Sequence, residues 1–244
     1  MKILALESSA VACSVALTED DFLIAEAYQN NGLTHSVTLM PMCEDLLKNC
    51  GLTLQDMDVI AVAAGPGSFT GLRIGVSAAK GLGWALDKPC AKVSTLEAMA
   101  WNLSALKGDI CPVMDARRSQ VYNARFTSDG ETVTRLTPDR ATSLEDLGKE
   151  LKKEKNEKEQ ILVGDGAQLC YNYFQQLGLP ARMVSPNLRF QRGWGVARAA
   201  LDQARTGTLI SAAELLPEYH RLSQAERERL ERQQAQQMKT TEGE

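Results

Sequence analysis

Apolar residues along the chain fall into short runs separated by turn-forming residues, and the period of the runs changes several times. Residues 2–7 (KILALE), 11–17 (VACSVAL) and 22–28 (FLIAEAY) have the length and composition of strands, with Asp20-Asp21 as the turn between the second and third. Positions 34–50 switch to a helical spacing. Thr34 and Ser36 can cap that helix and Gly51 stops it, while Pro41 requires a place near the first turn or a kink. The continuous apolar run at 58–63 predicts a strand buried on both faces. Gly65-Pro66-Gly67 breaks it. A helix over 71–86, a strand at 90–93 and a helix over 94–106 follow.

The same order then begins again. Residues 109–115, 120–126 and 132–136 predict three strands, 143–153 a helix, and 160–163 a short buried strand broken by Gly164-Asp165-Gly166. Helices follow at 167–177 and 192–205. Each half runs βββαβα with a further helix. Each first strand ends on an acidic residue, Glu7 and Asp115, and each fourth strand meets a glycine turn. The predicted fold is α/β, with duplicated βββαβα halves facing a cleft where loops from both can hold a nucleotide. That is the layout of the actin-like ATPase (ASKHA) superfamily. Two unrelated α/β domains are the alternative. The division is an N-terminal domain over 1–107, a C-terminal domain over 108–222 and a charged, partly disordered tail over 223–244, with 152–160 as a solvated charge run.

Composition narrows the class. The 244 residues carry a net charge of −4 and are 44% hydrophobic, the balance of a soluble globular protein. No apolar run is long enough for a membrane span, and Glu7 interrupts any signal-peptide core. The six cysteines form no C-x-x-C pair and read as reduced thiols of a cytoplasmic protein. Two distant histidines, His35 and His220, cannot build a His-rich metal site. A pI near 5.4 argues against gripping nucleic acid through bulk charge.

Candidate chemistry is sparse. The hairpins at 7–10 and 115–119 stand where an ATPase of this layout holds phosphate, but serines and arginines replace the glycines such loops use. Gly164, Asp165 and Gly166 open a helix and are weak candidates for a nucleotide contact. Ser8, Ser9 and Ser68 have no histidine to pair with. The segment 64–75 (AGPGSFTGLRIG) is more specific: Gly71, Gly75, Ala79 and Gly83 recur every four residues and make a stripe of small side chains. Such a stripe suits either close packing on its own sheet or docking to a partner helix.

That segment and the opening KILALESSAVACSVAL resemble the TsaB family, also called YeaZ. Further matching blocks are T-H-S at 34–36, D-A-R-R-S-Q-V-Y at 115–122, G-D-G-A at 164–167 and L-P-E-Y-H-R at 216–221, so the resemblance runs to about residue 222. It implies a non-catalytic scaffold working with a catalytic paralogue, TsaD, and a small ATPase, TsaE. Together these transfer a threonylcarbamoyl group from threonylcarbamoyl-AMP to the adenosine next to the tRNA anticodon, at position 37. It also implies a homodimer when the chain is alone, no tightly bound cofactor, ATP or ADP only in the complex, and tRNA reached through the complex. TsaD holds metal with an H-x-x-x-H pair; Thr95 and Met99 stand at those positions here and are poor ligands. An old protease label therefore fails on chemistry. The expected partner contact comprises Val37, Met40 and Leu47 on the first helix and Gly71, Ile74, Gly75, Ala78 and Ala79 on the second. Gly75→Arg is expected to break the complex and spare the fold. Direct tRNA contact through Arg182, Arg189, Arg192 and Arg198, joined by Arg117, Arg118 and Arg125, competes with a solvated basic face. The alternative function is an ASKHA-type ATPase or phosphotransferase using Glu7 or Asp115.

Overall fold

The structure is a computed structural model that describes residues 1–117, 119–153 and 158–221. Arg118, the middle of the charge run at 154–157 and the expected tail lie outside the described residues.

The first half contains β1 (Lys2–Glu7), β2 (Cys13–Glu19), β3 (Phe22–Gln29), α1 (His35–Asn49), β4 (Val59–Gly65), α2 (Phe69–Leu86), β5 (Cys90–Ser94) and α3 (Thr95–Trp101). The second contains β6 (Gly108–Asp115), β7 (Gln120–Asn123), β8 (Phe126–Ser128), β9 (Val133–Arg135), β10 (Arg140–Ser143), α4 (Leu144–Lys153), β11 (Gln160–Val163), α5 (Ala167–Gln176), β12 (Ala181–Met183) and α6 (Gly193–Thr206). The strand orders are β3-β2-β1-β4-β5 and β10-β7-β6-β11-β12. In both sheets the first three strands of the path are antiparallel and the last three parallel. This is the duplicated ASKHA-type layout that the sequence predicts.

The second half departs from its predicted elements in several places, one of them the unpredicted strand β12. The expected strand at 120–126 is two strands, β7 and β8, which pair with different parts of β6. The expected third strand at 132–136 is β9, the outer arm of a hairpin with β8. The place of β3 belongs instead to β10, which pairs with β7. In the first half, α2 begins two residues early because the Ser68 side chain accepts the Gly71 N–H. The helix expected to reach 106 ends at Trp101.

β1 and β4 are buried on both faces, and the alternation of side chains sends them into two cores. Leu4, Leu6, Ile60 and Val62 pack with Leu39, Leu46 and Leu47 of α1 and Val76 of α2. Ile3, Ala5, Val59 and Ala61 pack with Val196, Ala197 and Ala200 of α6. The final helices are thus exchanged. α6 covers the first sheet, while Leu96, Met99 and Ala100 of α3 pack with Ile110, Met114 and Ile161 on the second. The exchange demands small residues where α3 and α6 cross. A Cβ on Gly195 would lie 1.9 Å from the Ala98 carbonyl oxygen.

Candidate functional site

Both sheets direct the carboxyl ends of their central strands at one cleft of about 590 Å³. Its walls are the first hairpin (Ser9–Val11), the entrance to α2 (Gly67–Thr70), the second hairpin (Met114–Arg117), Asp165 and a segment near the described end of the chain, Glu218–Arg221.

The two hairpins share one internal solution. Glu7 closes β1 and its Oε1 accepts the Ser9 N–H at 2.6 Å. Asp115 closes β6 and its Oδ1 accepts the Arg117 N–H at 2.7 Å. In each loop the carboxylate two residues upstream takes an amide that a phosphate would need. Other donors are also engaged: Ser68 N–H bonds Ser9 carbonyl at 2.6 Å, and Ala116 N–H bonds Gln120 carbonyl at 3.0 Å. The Gly164-Asp165-Gly166 turn behaves alike, with Gly164 N–H bonded to Arg189 carbonyl at 2.7 Å and Gly166 N–H to Val113 carbonyl at 3.1 Å.

Burial governs the acids beneath the cleft. Glu7 is fully buried and its Oε2 has no hydrogen-bond partner. Desolvation pushes its pKa up to about 7, against the pull of the Ser9 hydrogen bonds. Asp165 is pushed up to about 6, chiefly by burial and in part by the charge of Asp115, with Gln191 opposing. Both histidines sit closer to the cleft than their sequence positions indicate. His35 Nε2 donates to the Ala10 carbonyl at 2.7 Å, and His220 lines the cleft 3.5 Å from Glu218 Oε1. Thr95 and Met99 are both fully buried, and among the described residues no three His, Cys, Asp or Glu side chains gather as a metal cluster.

The expected partner face divides. Val37 and Met40 are exposed, at 64% and 41%, on the outer side of α1 beside the exposed Pro41. Ile74 and Ala78 on α2 are half-buried. Leu47, Gly71, Gly75 and Ala79 are buried and are corrected from surface to core. The small-residue stripe faces its own sheet, because α2 runs against the first hairpin. A Cβ on Gly71 would meet the Ser8 carbonyl oxygen at 2.1 Å, and one on Gly75 would meet Ser8 Oγ at 2.4 Å. The expectation that Gly75→Arg spares the fold is corrected with it.

The arginines of the proposed basic face are largely paired. Arg182 bonds Glu159 at 2.8 Å, Arg192 bonds Glu26 at 2.5 Å, Arg198 bonds Asp21 at 2.6 Å, and Arg125 lies 3.5 Å from Glu150. The sequence does not indicate the role of residues 218–221 in the cleft wall. Their only signal was the L-P-E-Y-H-R block itself.

Comparison with known proteins places the chain. A family model described as TsaD, tRNA N6-adenosine threonylcarbamoyltransferase, matches residues 30–190. The tRNA threonylcarbamoyladenosine biosynthesis protein TsaB of Buchnera aphidicola subsp. Schizaphis graminum is 33% identical over 67% of this chain and 78% of its own length. The chain belongs to the TsaB (YeaZ) family. The TsaB of Bacillus subtilis is 42% identical over 60% of this chain, and the match spans 64% of that relative. The crystal structure of an uncharacterized Pseudomonas aeruginosa protein with similarity to peptidase YeaZ superposes with a TM-score of 0.77 at 26% identity, covering 90% of this chain and 99% of that one. Among the described residues no helix is long and apolar enough to cross a membrane.

Proposed function

We propose that this TsaB-family chain is a cytoplasmic, non-catalytic scaffold subunit for threonylcarbamoyladenosine modification at position 37 of tRNA. It supports transfer of the threonylcarbamoyl group from threonylcarbamoyl-AMP by a TsaD-type partner, together with TsaE. Alone it forms a homodimer, and it meets tRNA through the complex. The relatives named for threonylcarbamoyladenosine biosynthesis supply the pathway.

The observation that carries the non-catalytic part is the pair of self-bonded hairpins. Glu7 and Asp115 each occupy one amide of their own loop, and among the described residues serine, alanine and arginine stand where a glycine nest would receive phosphate. Any ATP or ADP then belongs to the assembled complex. For docking, the exposed apolar side chains Val37 and Met40 on α1, with Ile74 and Ala78 alongside on α2, are the contact. Co-purification with TsaD and TsaE, followed by a tRNA modification assay omitting each component in turn, tests the proposal. Modification that proceeds at full rate without this chain overturns it.

A further inference from the structure

We propose that residues 209–221 form a clasp that ties the two halves together across the cleft mouth, so that the chain itself sets the cleft's width. The segment follows α6, which already packs on the first sheet, and continues along the first half. There Ile210 pairs with Cys90 in an antiparallel bridge, and Lys80 Nζ donates to the carbonyl oxygens of Ala213 and Leu215 at 2.8 and 3.4 Å. Glu218 N–H bonds the Ala64 carbonyl at 2.7 Å. The approach is so close that a Cβ on Gly65, which has φ +146°, would lie 2.1 Å from the Glu218 carbonyl oxygen. The Glu218 carboxylate also pairs with Lys92 at 3.0 Å.

The next three residues bridge the gap. The Tyr219 ring stacks on Phe69, in the first turn of α2, at a centroid distance of 4.5 Å and an angle of 25°. Its hydroxyl accepts from Arg73 Nε at 3.0 Å, and the Arg73 guanidinium lies 3.9 Å from the Phe69 ring centre. Two residues later, the Arg221 guanidinium donates to the Ala116 carbonyl in the second hairpin. One short segment therefore holds both rims. In two-lobed proteins a bound ligand commonly supplies such a bridge and stabilises the closed form. Here a covalent part of the chain supplies it. The tie to the first half is broad, while among the described residues the tie to the second hairpin is the Arg221 contact with Ala116, which makes Arg221 the latch.

Hydrogen exchange on the full chain tests the clasp, with small-angle scattering for overall dimensions. The Ser68 and Leu72 amides report one rim, Ala116 and Gln120 the other, and Leu4 and Ile60 the core. In Arg221→Ala we expect at least tenfold faster exchange at Ala116 and Gln120, a larger radius of gyration and an unchanged core. In Tyr219→Ala we expect the same acceleration at Ser68 and Leu72. If Tyr219→Ala also loses core protection, Arg221→Ala alone decides, since it removes one contact from a core-remote site. Unchanged exchange at Ala116 and Gln120 with unchanged dimensions overturns the proposal. A chain ending at Arg221 should match the full chain at both rims; loosened rims there would assign the tie to residues 222–244 and also overturn it.

Discussion

Ser8 donates its hydroxyl hydrogen to the Gly71 carbonyl at 2.9 Å and stands where a side chain on Gly75 would have to go, 2.4 Å from the position of a Cβ there. One buried serine thus fixes both the path of the first hairpin and the composition of the α2 stripe. Gly75→Ala should cost about 2 kcal/mol by overpacking, even though alanine favours helix. Ser8→Ala in the same chain should recover part of that loss, so the double-mutant cycle should show favourable coupling of about 1 kcal/mol. Urea denaturation of the four chains measures it. Additive losses would mean that the two residues do not share the space.

The outer face of α1 should behave differently. Val37→Glu and Met40→Glu change exposed positions and should shift stability by no more than about 0.5 kcal/mol. Each should weaken binding of a TsaD-type partner at least tenfold, measured by calorimetry. Wild-type affinity in both folded variants would remove this face from the docking proposal.

Glu7 gives the chain a pH signature. Its folded pKa, about 7, lies above the ordinary carboxyl value, so the folded state holds the proton more tightly than the unfolded state. The stabilising contribution is complete below the ordinary value and is lost as pH rises through about 7. A shift of this size corresponds to about 3 kcal/mol. Glu7→Gln keeps an oxygen for the Ser9 amide and cannot ionise. Relative to wild type it should therefore gain stability between pH 5 and pH 8, on the order of 2–3 kcal/mol. Parallel stability curves for the two chains would show that Glu7 is not the group responsible.

Nucleotide binding by the isolated chain should be weak. With one amide of each hairpin bonded to Glu7 or Asp115, titration with magnesium-ATP should show no micromolar site by calorimetry. A micromolar constant would restore the ATPase or phosphotransferase reading.

The crossing of α3 and α6 should be intolerant of a methyl group. Gly195→Ala drives a Cβ into the Ala98 carbonyl, a backbone atom that cannot rotate away. A loss of about 3 kcal/mol or more is expected by thermal or urea unfolding. A loss below about 1 kcal/mol would mean that the helices separate readily.

How much of this was legible in the sequence depended on length and reach. The runs at 2–7 and 58–63 gave β1 and β4 because their apolar residues are consecutive and doubly buried. β12 and β10, of 3 and 4 residues, are too short to show a period, and β10 is mostly polar. Its pairing with β7 exists because α4 follows and packs Leu144, Leu147 and Leu151 onto that sheet. The stripe at Gly71, Gly75 and Ala79 was visible, but spacing alone does not say which surface a small face meets. Ser8, far away in the chain, decides it. The Glu7–Ser9 and Asp115–Arg117 bonds were within reach, since each spans two residues at matching places in the repeat. The cleft role of Tyr219 and Arg221 depends on contacts with Phe69 and Ala116, which the L-P-E-Y-H-R block by itself does not reveal.

The exchange of α3 and α6 also sets an order of events during synthesis. The first sheet is complete in sequence by Ser94, yet the face that holds Ile3, Ala5, Val59 and Ala61, touched early by Ala98 and Trp101, gains the cover of α6 only when residues 193–206 are available. At ordinary elongation rates that interval is on the order of ten seconds. During it Ile3, Ala5, Val59 and Ala61 form an apolar surface on the nascent chain. The last helix of the described residues therefore closes a core whose other members include the opening strands of the chain.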